Sequence, residues 1–171
     1  SGVTERIGAI TQMLRGFSRR ATGTVGPVPV EEAVDGALAL LAGRIRDADA
    51  VIERSRPQAG VAVVAGRIRL EQILVNLLQN ALDAVREQDD PRIRITVAAG
   101  EERVSVTVRD NGPGLDAQAR ETLFMPFATT KETGLGLGLV ISGDIAREFG
   151  GSLALAQVGV GRLHELAHER G

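Results

Sequence analysis

Cysteine, tryptophan and tyrosine are absent from the 171 residues, and four phenylalanines are the only aromatic side chains. Without cysteine there is neither a disulfide nor a thiolate metal site, and the redox compartment is left open. The shortage of rings argues against base-stacking platforms and aromatic cages. No apolar run approaches the roughly 18–20 residues that cross a bilayer, and the opening residues do not read as a signal peptide. A net charge of −2 leaves no basic footprint, so no nucleic-acid partner is expected. Histidine is nearly missing too: the only two, His164 and His168, fall in the last ten residues. What remains is 43% hydrophobic and 25% charged, the composition of an ordinary soluble domain able to bury a core.

Val3, Ile7, Ile10, Leu14 and Phe17 recur in steps of four and three, a coiled-coil or bundle seam. This stretch, residues 1–20, reads as the end of a longer helix. The Gly- and Pro-rich residues 21–30 read as a linker. A helix over 31–48 opens with acids that suit its N-terminal dipole. Val61–Ala65 suggests a strand, and the clearest helix covers 68–87. Arg92–Ala98 and Arg103–Arg109 alternate as strands joined by a hairpin. Leu139–Phe149 reads as a helix stopped by Gly150-Gly151, and Ser152–Val158 as a last strand. Helices interspersed with an antiparallel strand pair predict an α+β fold, a two-layer sandwich with helices on one face of a mixed sheet.

Along 70–87, Leu70, Ile73, Leu74, Leu77, Leu78, Ala81 and Val85 make one broad apolar face. Gln72, Asn76, Asn80 and Asp83 share a narrow stripe opposite. Solvated helix faces favour Lys and Glu, whereas Asn is a poor helix former, and two Asn one turn apart offer amide oxygens to a hard cation such as Mg²⁺. In the strand that follows, Val104, Val106 and Val108 share a face, and the same parity carries Asp110 onto it. An inward carboxylate must find donors, and a purine's exocyclic amine would serve. Gly112 and Gly114 permit a turn close enough for a ring to lie against backbone. Gly134, Gly136 and Gly138 form a ladder leading into a helix, where exposed N–H groups and the positive helix end suit phosphate. Their spacing is neither that of a Walker A loop nor that of a dinucleotide-binding fingerprint. Just upstream, Phe124 and Phe127 could pin a loop, and Lys131 lies within reach of the same phosphates.

Taken in order, these motifs closely resemble the ATP-binding catalytic domain of bacterial sensor histidine kinases, within the wider gyrase, Hsp90 and MutL superfamily. EQILVNLLQNALDAV looks like its N box, DNGPGL its G1 box, LFMPFATTK its F box and TGLGLGL its G2 box. The short interval before the glycine ladder is most similar to C4-dicarboxylate transport sensors. The resemblance implies a catalytic domain over 31–161 and Mg²⁺-ATP as cofactor. Asn80 would hold the Mg²⁺ with Asn76 nearby and Asp83 one turn on, and Asp110 would accept the adenine amino proton. Gly112, Gly114 and Leu115 would shape the adenine end. Thr130, Lys131, Gly134, Leu135, Gly136, Leu137, Gly138 and Leu139 would enclose the phosphates. By the same resemblance Asn76, Asn80 and Lys131 would carry the catalytic roles. Gyrase-like hydrolases place a Glu where Asn76 stands, and an amide cannot serve as general base, so transfer to a protein acceptor is favoured over hydrolysis.

The resemblance further implies an acceptor histidine on the first helix of an upstream hairpin, absent from this chain, which would then bind ATP without autophosphorylating at the natural site. It implies a response-regulator partner, a full-length homodimer, and a cytoplasmic position beneath an inner-membrane anchor. The alternatives are an ATP-hydrolysing or anti-sigma-like serine kinase pocket, or a module that only binds ATP. His164-Glu165-Leu166-Ala167-His168 also fits the H-E-x-x-H pattern of a zinc peptidase, but a third ligand is not evident. Residues 162–171 do not alternate as the family's closing strand would, and are expected to be an atypical tail.

Overall fold

The computed structural model describes residues 24–55, 60–114, 138–156 and 162–169. The expected seam over residues 3–17 lies outside them. The elements are β1 (Val25–Pro29), α1 (Val30–Leu40), α2 (Ala42–Asp47), β2 (Val51–Arg54), β3 (Ala62–Gly66), α3 (Arg67–Ala84), β4 (Arg92–Ala99), β5 (Arg103–Asp110), α4 (Gly138–Glu148), β6 (Ser152–Ala156) and β7 (Arg162–Glu169). Five strands make one sheet in the order β2-β4-β5-β7-β6, and β1 pairs with β3 in a separate ribbon. Among the described strands only β2 and β4 run parallel; the other pairs are antiparallel. The expected α+β architecture, a mostly antiparallel sheet with a helical layer, is the observed one.

The core forms because two periodicities meet. On α3, Leu70, Ile73, Leu74, Leu77, Leu78 and Ala81 are all buried. On the sheet, Ile93, Ile95 and Val97 of β4 and Val104, Val106 and Val108 of β5 are buried at alternating positions. A period of 3.6 residues on the helix thus presents one apolar stripe to the face that a period of two creates on the strands. Helix α3 is central in the helical layer, with α1 packed on it through Ala33, Val34 and Ala37 and α4 through Ile141, Ile145 and Ala146. Each fully enclosed Ile or Leu contributes about 1.5–3 kcal/mol of burial. Arg69, only 5% exposed at the start of α3, bonds Glu148 at the end of α4 at 3.2 Å, which ties the two helices at that end.

Two expectations require correction, and one strand was not anticipated. The Gly- and Pro-rich residues 21–30 are not all linker, because Val25–Pro29 pairs in register with Ala62–Gly66. Each proline forces the residue before it into extended backbone, and an edge strand tolerates its missing N–H. Residues 51–54 show no alternation, yet they form β2, aligned beside β4. Ion pairs hold that edge: Arg92 and Arg94 both reach Glu53, and Arg54 pairs with Glu31 and Asp35. The hydrogen bonds from Arg94, then from Arg92, lower the Glu53 pKa. Its contribution is therefore present above the ordinary carboxylate pKa and is lost as pH falls through the lowered value.

The second correction concerns the end of the chain. Residues 162–169 are no atypical tail: they form β7, between β5 and β6, with Val108 opposite His164 and Val104 opposite His168. A strand inside a sheet is held by backbone bonding on both edges, so it can form without visible side-chain alternation. This also removes the zinc reading. Two ligands four residues apart approach each other on a helix, whereas a strand separates them by roughly 13 Å at about 3.3 Å per residue.

The turn after β5 lies directly against the end of α3. A methyl group on Gly112 would stand 2.4 Å from the carbonyl oxygen of Ala84 and 2.9 Å from its carbon, so the close approach requires glycine. Gly114 has a positive φ of 81°, which glycine adopts without strain. Replacement Gly112→Ala is expected to destabilise the chain by about 1–3 kcal/mol, since helical backbone cannot yield as a side chain can. Leu77→Ala, at a site with 0% exposure, is expected to cost about 2–5 kcal/mol. Urea unfolding followed by circular dichroism measures both; a loss below the error of the midpoint at either position would refute the packing described.

Candidate nucleotide-binding site

The described part of the site is built from the solvent-side stripe of α3, the end of β5 and the start of α4. Asn76, Asn80 and Asp83 are half-buried and lie along one side of α3, with neighbours on such a stripe about 5–6 Å apart between Cβ atoms. They do not behave as a fully solvated face. Asn76 donates from Nδ2 to Ser142 Oγ on α4 at 2.8 Å. Asp83, expected to contact the cofactor, pairs with Arg44 of α2 at 2.9 Å.

Asp110 is where strand parity placed it, 2% exposed at the end of β5 behind buried Val104, Val106 and Val108. Its Oδ1 accepts the Gly112 N–H at 2.9 Å, and its Oδ2 is equally closed from solvent. A carboxylate can accept about four hydrogen bonds, so the Gly112 amide and a ligand's amine can be accommodated together. Asn111 has a structural duty that its sequence context does not reveal. Its Oδ1 accepts the Arg92 N–H at 2.9 Å and its Nδ2 donates to the Asp90 carbonyl at 2.8 Å. It staples the turn to the start of β4, and the only signal in the sequence is its place in the Asp-Asn-Gly run.

The structure thus brings Asn76, Asn80, Asp83, Asp110, Gly112 and Gly114 onto adjoining elements. Gly112, expected to make room for a ring, makes room for the Ala84 carbonyl on its Cβ side. Gly138 and Leu139 open α4, so the glycine ladder does run into a helix as expected. Leu115, Phe124, Phe127, Thr130, Lys131, Gly134, Leu135, Gly136 and Leu137 lie outside the described residues. Ser142 was not anticipated; a serine inside an apolar helix carries no signal of its own.

Among the described residues no group of three or more His, Cys, Asp or Glu could hold a metal ion. The oxygen donors on the stripe are the amides of Gln72, Asn76 and Asn80 and the carboxylate of Asp83, which is paired with Arg44. That set is too sparse for a dedicated metal cage. It does suit Mg²⁺, which keeps several waters and takes most of its remaining ligands from substrate phosphates.

Comparison with known proteins agrees with this geometry. The family model for histidine kinase-, DNA gyrase B- and HSP90-like ATPases matches residues 65–167, from the end of β3 almost to the end of β7. The C4-dicarboxylate transport sensor protein DctB of Rhizobium meliloti (strain 1021) is 46% identical over 151 residues, covering 88% of this chain but 24% of that protein. The chain therefore spans about a quarter of the length of such relatives. The solved catalytic domain of histidine kinase ThkA superposes with a TM-score of 0.77 at 28% identity, covering 86% of this chain and 98% of that one. ThkA in complex with the response regulator protein TrrA shares the fold, with a TM-score of 0.80 at 23% identity over 99% of this chain and 49% of that one. The chain belongs to the histidine kinase-, DNA gyrase B- and HSP90-like ATPase family, and its fold is that of the catalytic domain of sensor histidine kinases.

Proposed function

We propose that the chain binds Mg²⁺-ATP and passes the γ-phosphoryl group to a histidine on a helical hairpin of a two-component sensor kinase. The observation that carries this reading is Asp110. A carboxylate at 2% exposure, beside the Gly112 amide at the end of a core strand, is expensive to bury and is stabilised by every donor brought to it. The adenine amino group is such a donor. Asn80 would hold the cation and Lys131 would meet the phosphates, with the backbone of 134–138 as further donors. Bound Mg²⁺ supplies charge neutralisation on the phosphate oxygens. The protein's own part is positioning, because the phosphoryl transfer itself needs little covalent help from side chains. Asn76 is not a base, and its amide is already engaged by Ser142; both facts favour transfer over hydrolysis.

In this reading residues 1–20 end the dimerisation hairpin, and the catalytic unit runs from β1 through β7. The full-length protein would be a homodimer that phosphorylates a response regulator. No helix among the described residues is long and apolar enough to cross a membrane. The domain would work in the cytoplasm below an anchor elsewhere in the protein.

Two measurements check the proposal. Calorimetry should show ATP binding that Mg²⁺ strengthens. Asp110→Asn, which loses a charge-assisted acceptor worth about 1.5–3 kcal/mol, should weaken it by roughly ten- to a hundredfold. Unchanged affinity in that variant would remove Asp110 from the adenine site. Incubation with γ-labelled ATP should leave this chain free of acid-labile phosphate, since its two histidines lie on β7 within the sheet, and should label a supplied hairpin that carries the acceptor histidine. Stoichiometric labelling of the chain alone would contradict the assignment of the acceptor.

A further inference from the structure

We infer that Arg162 broadens the purine specificity of the proposed nucleotide site. From its register position, directly opposite Asp110, it adds a hydrogen-bond donor to the acceptor that Asp110 supplies. The inference deepens the proposed function and rests on it. Asp110 is the last residue of β5 and Arg162 the first of β7, and the two are partners in the antiparallel ladder. Opposed residues of such a ladder share one side of the sheet and stand about 4.5–5.5 Å apart between Cβ atoms. Position 162 therefore belongs to the side that carries Val104, Val106, Val108 and Asp110. On the β4 edge, Asp110 is opposite Ile93, which is 0% exposed and apolar. The described ladder between β6 and β7 stops at Ala156 and Leu163, one residue short of Arg162. Of the two cross-strand positions opposite Asp110, the one on β7 is thus the polar one.

An ionised carboxylate only accepts hydrogen bonds, and a guanidinium only donates them. Asp110 alone would admit adenine, whose 6-amino group donates, and repel hypoxanthine, whose 6-oxo group accepts. A site built around one such contact rejects the unmatched analogue by about four to five orders of magnitude. With arginine at position 162, one residue pair offers both kinds of partner: the carboxylate for an amino group, the guanidinium for an oxo group. The same pairing suits the burial of Asp110, which is 2% exposed. Arginine stays charged throughout the working pH range, and it offsets a carboxylate that has been taken out of water.

The experiment titrates this chain with ATP and with inosine triphosphate, both in excess Mg²⁺, by calorimetry. The wild type should bind the two within about tenfold of each other; a wider preference for ATP would overturn the inference without recourse to any variant. Arg162→Met keeps an unbranched side chain and removes its donors. It should widen the preference for ATP by roughly ten- to hundredfold, the loss of one charge-assisted hydrogen bond. Arg162→Lys, which keeps a charged donor, should restore most of the inosine triphosphate binding. A merely structural role predicts equal losses for both nucleotides in Arg162→Met, and so an unchanged ratio. That ratio, or a lysine variant no better than the methionine one, would overturn the inference. A wild-type chain that binds neither nucleotide would instead overturn the proposed function itself, so the two failures are distinguishable. Thermal midpoints of the three proteins confirm that folded molecules are compared.

Discussion

The packing of α3 on the sheet, with Ile73 and Leu77 wholly enclosed, is the constraint on which the site depends. Burial of one helical face determines the rotation of the helix about its axis, and rotation determines what the other side presents. If the apolar stripe turned by one residue, Asn76, Asn80 and Asp83 would swing together about 100° around the helix axis. The same burial fixes the height of the helix, because the Ala84 carbonyl abuts the α-carbon of Gly112. Asp110, two residues earlier, is therefore positioned relative to α3 by contact between backbones. This contact cannot drift as a pair of flexible side chains could. A cavity in the core beneath α3 would be expected to disturb the site as well as stability.

Much of this is legible in the order of residues alone. The seven apolar positions of 70–85 are all buried, and the parity of Val104, Val106, Val108 and Asp110 holds residue by residue, because both readings rest on periodicity and on a core large enough to enforce it. The elements that pattern does not reveal have a common physical origin. β1 carries Pro27 and Pro29, β2 has only two apolar residues side by side, and β7 reads Arg-Leu-His-Glu-Leu-Ala-His-Glu. Each is a strand because a neighbouring strand offers it a ladder, and ladder bonds come from backbone, which is the same for every sequence. The Ser142 bond is hidden for a related reason. It joins positions 66 residues apart, and nothing local to either residue signals the other. Asn111 is visible as a turn residue, but its ties to Asp90 and Arg92 again belong to tertiary pairing.

Polar groups in the described part of the site share one habit: several bond to a different element from their own. Asn76 of α3 meets α4, and Asn111 after β5 meets the start of β4. Asp83 of α3 meets α2. Bonds of this kind cost little backbone entropy, because the elements they join are already placed by the core. They therefore act on orientation more than on stability.

The Asp83–Arg44 pair illustrates the distinction. Its side chains are 30% and 48% exposed, and a pair in such a setting adds only about 0–1 kcal/mol to stability. Its electrostatic consequence is larger if α3 faces a polyphosphate. Asp83 is the only carboxylate among Gln72, Asn76, Asn80 and Asp83, and an uncompensated carboxylate on that stripe would repel a polyphosphate. With the Arg44 guanidinium at 2.9 Å the charge is offset locally, and the stripe presents a neutral, hydrogen-bonding surface. In the proposed function the remaining positive charge for the phosphates would come from the cation and from Lys131, while α3 contributes geometry. An amide at position 76 fits the same division: a Glu there would place a second carboxylate on the stripe, one turn from Asn80 and with Ser142 Oγ in place of an arginine beside it.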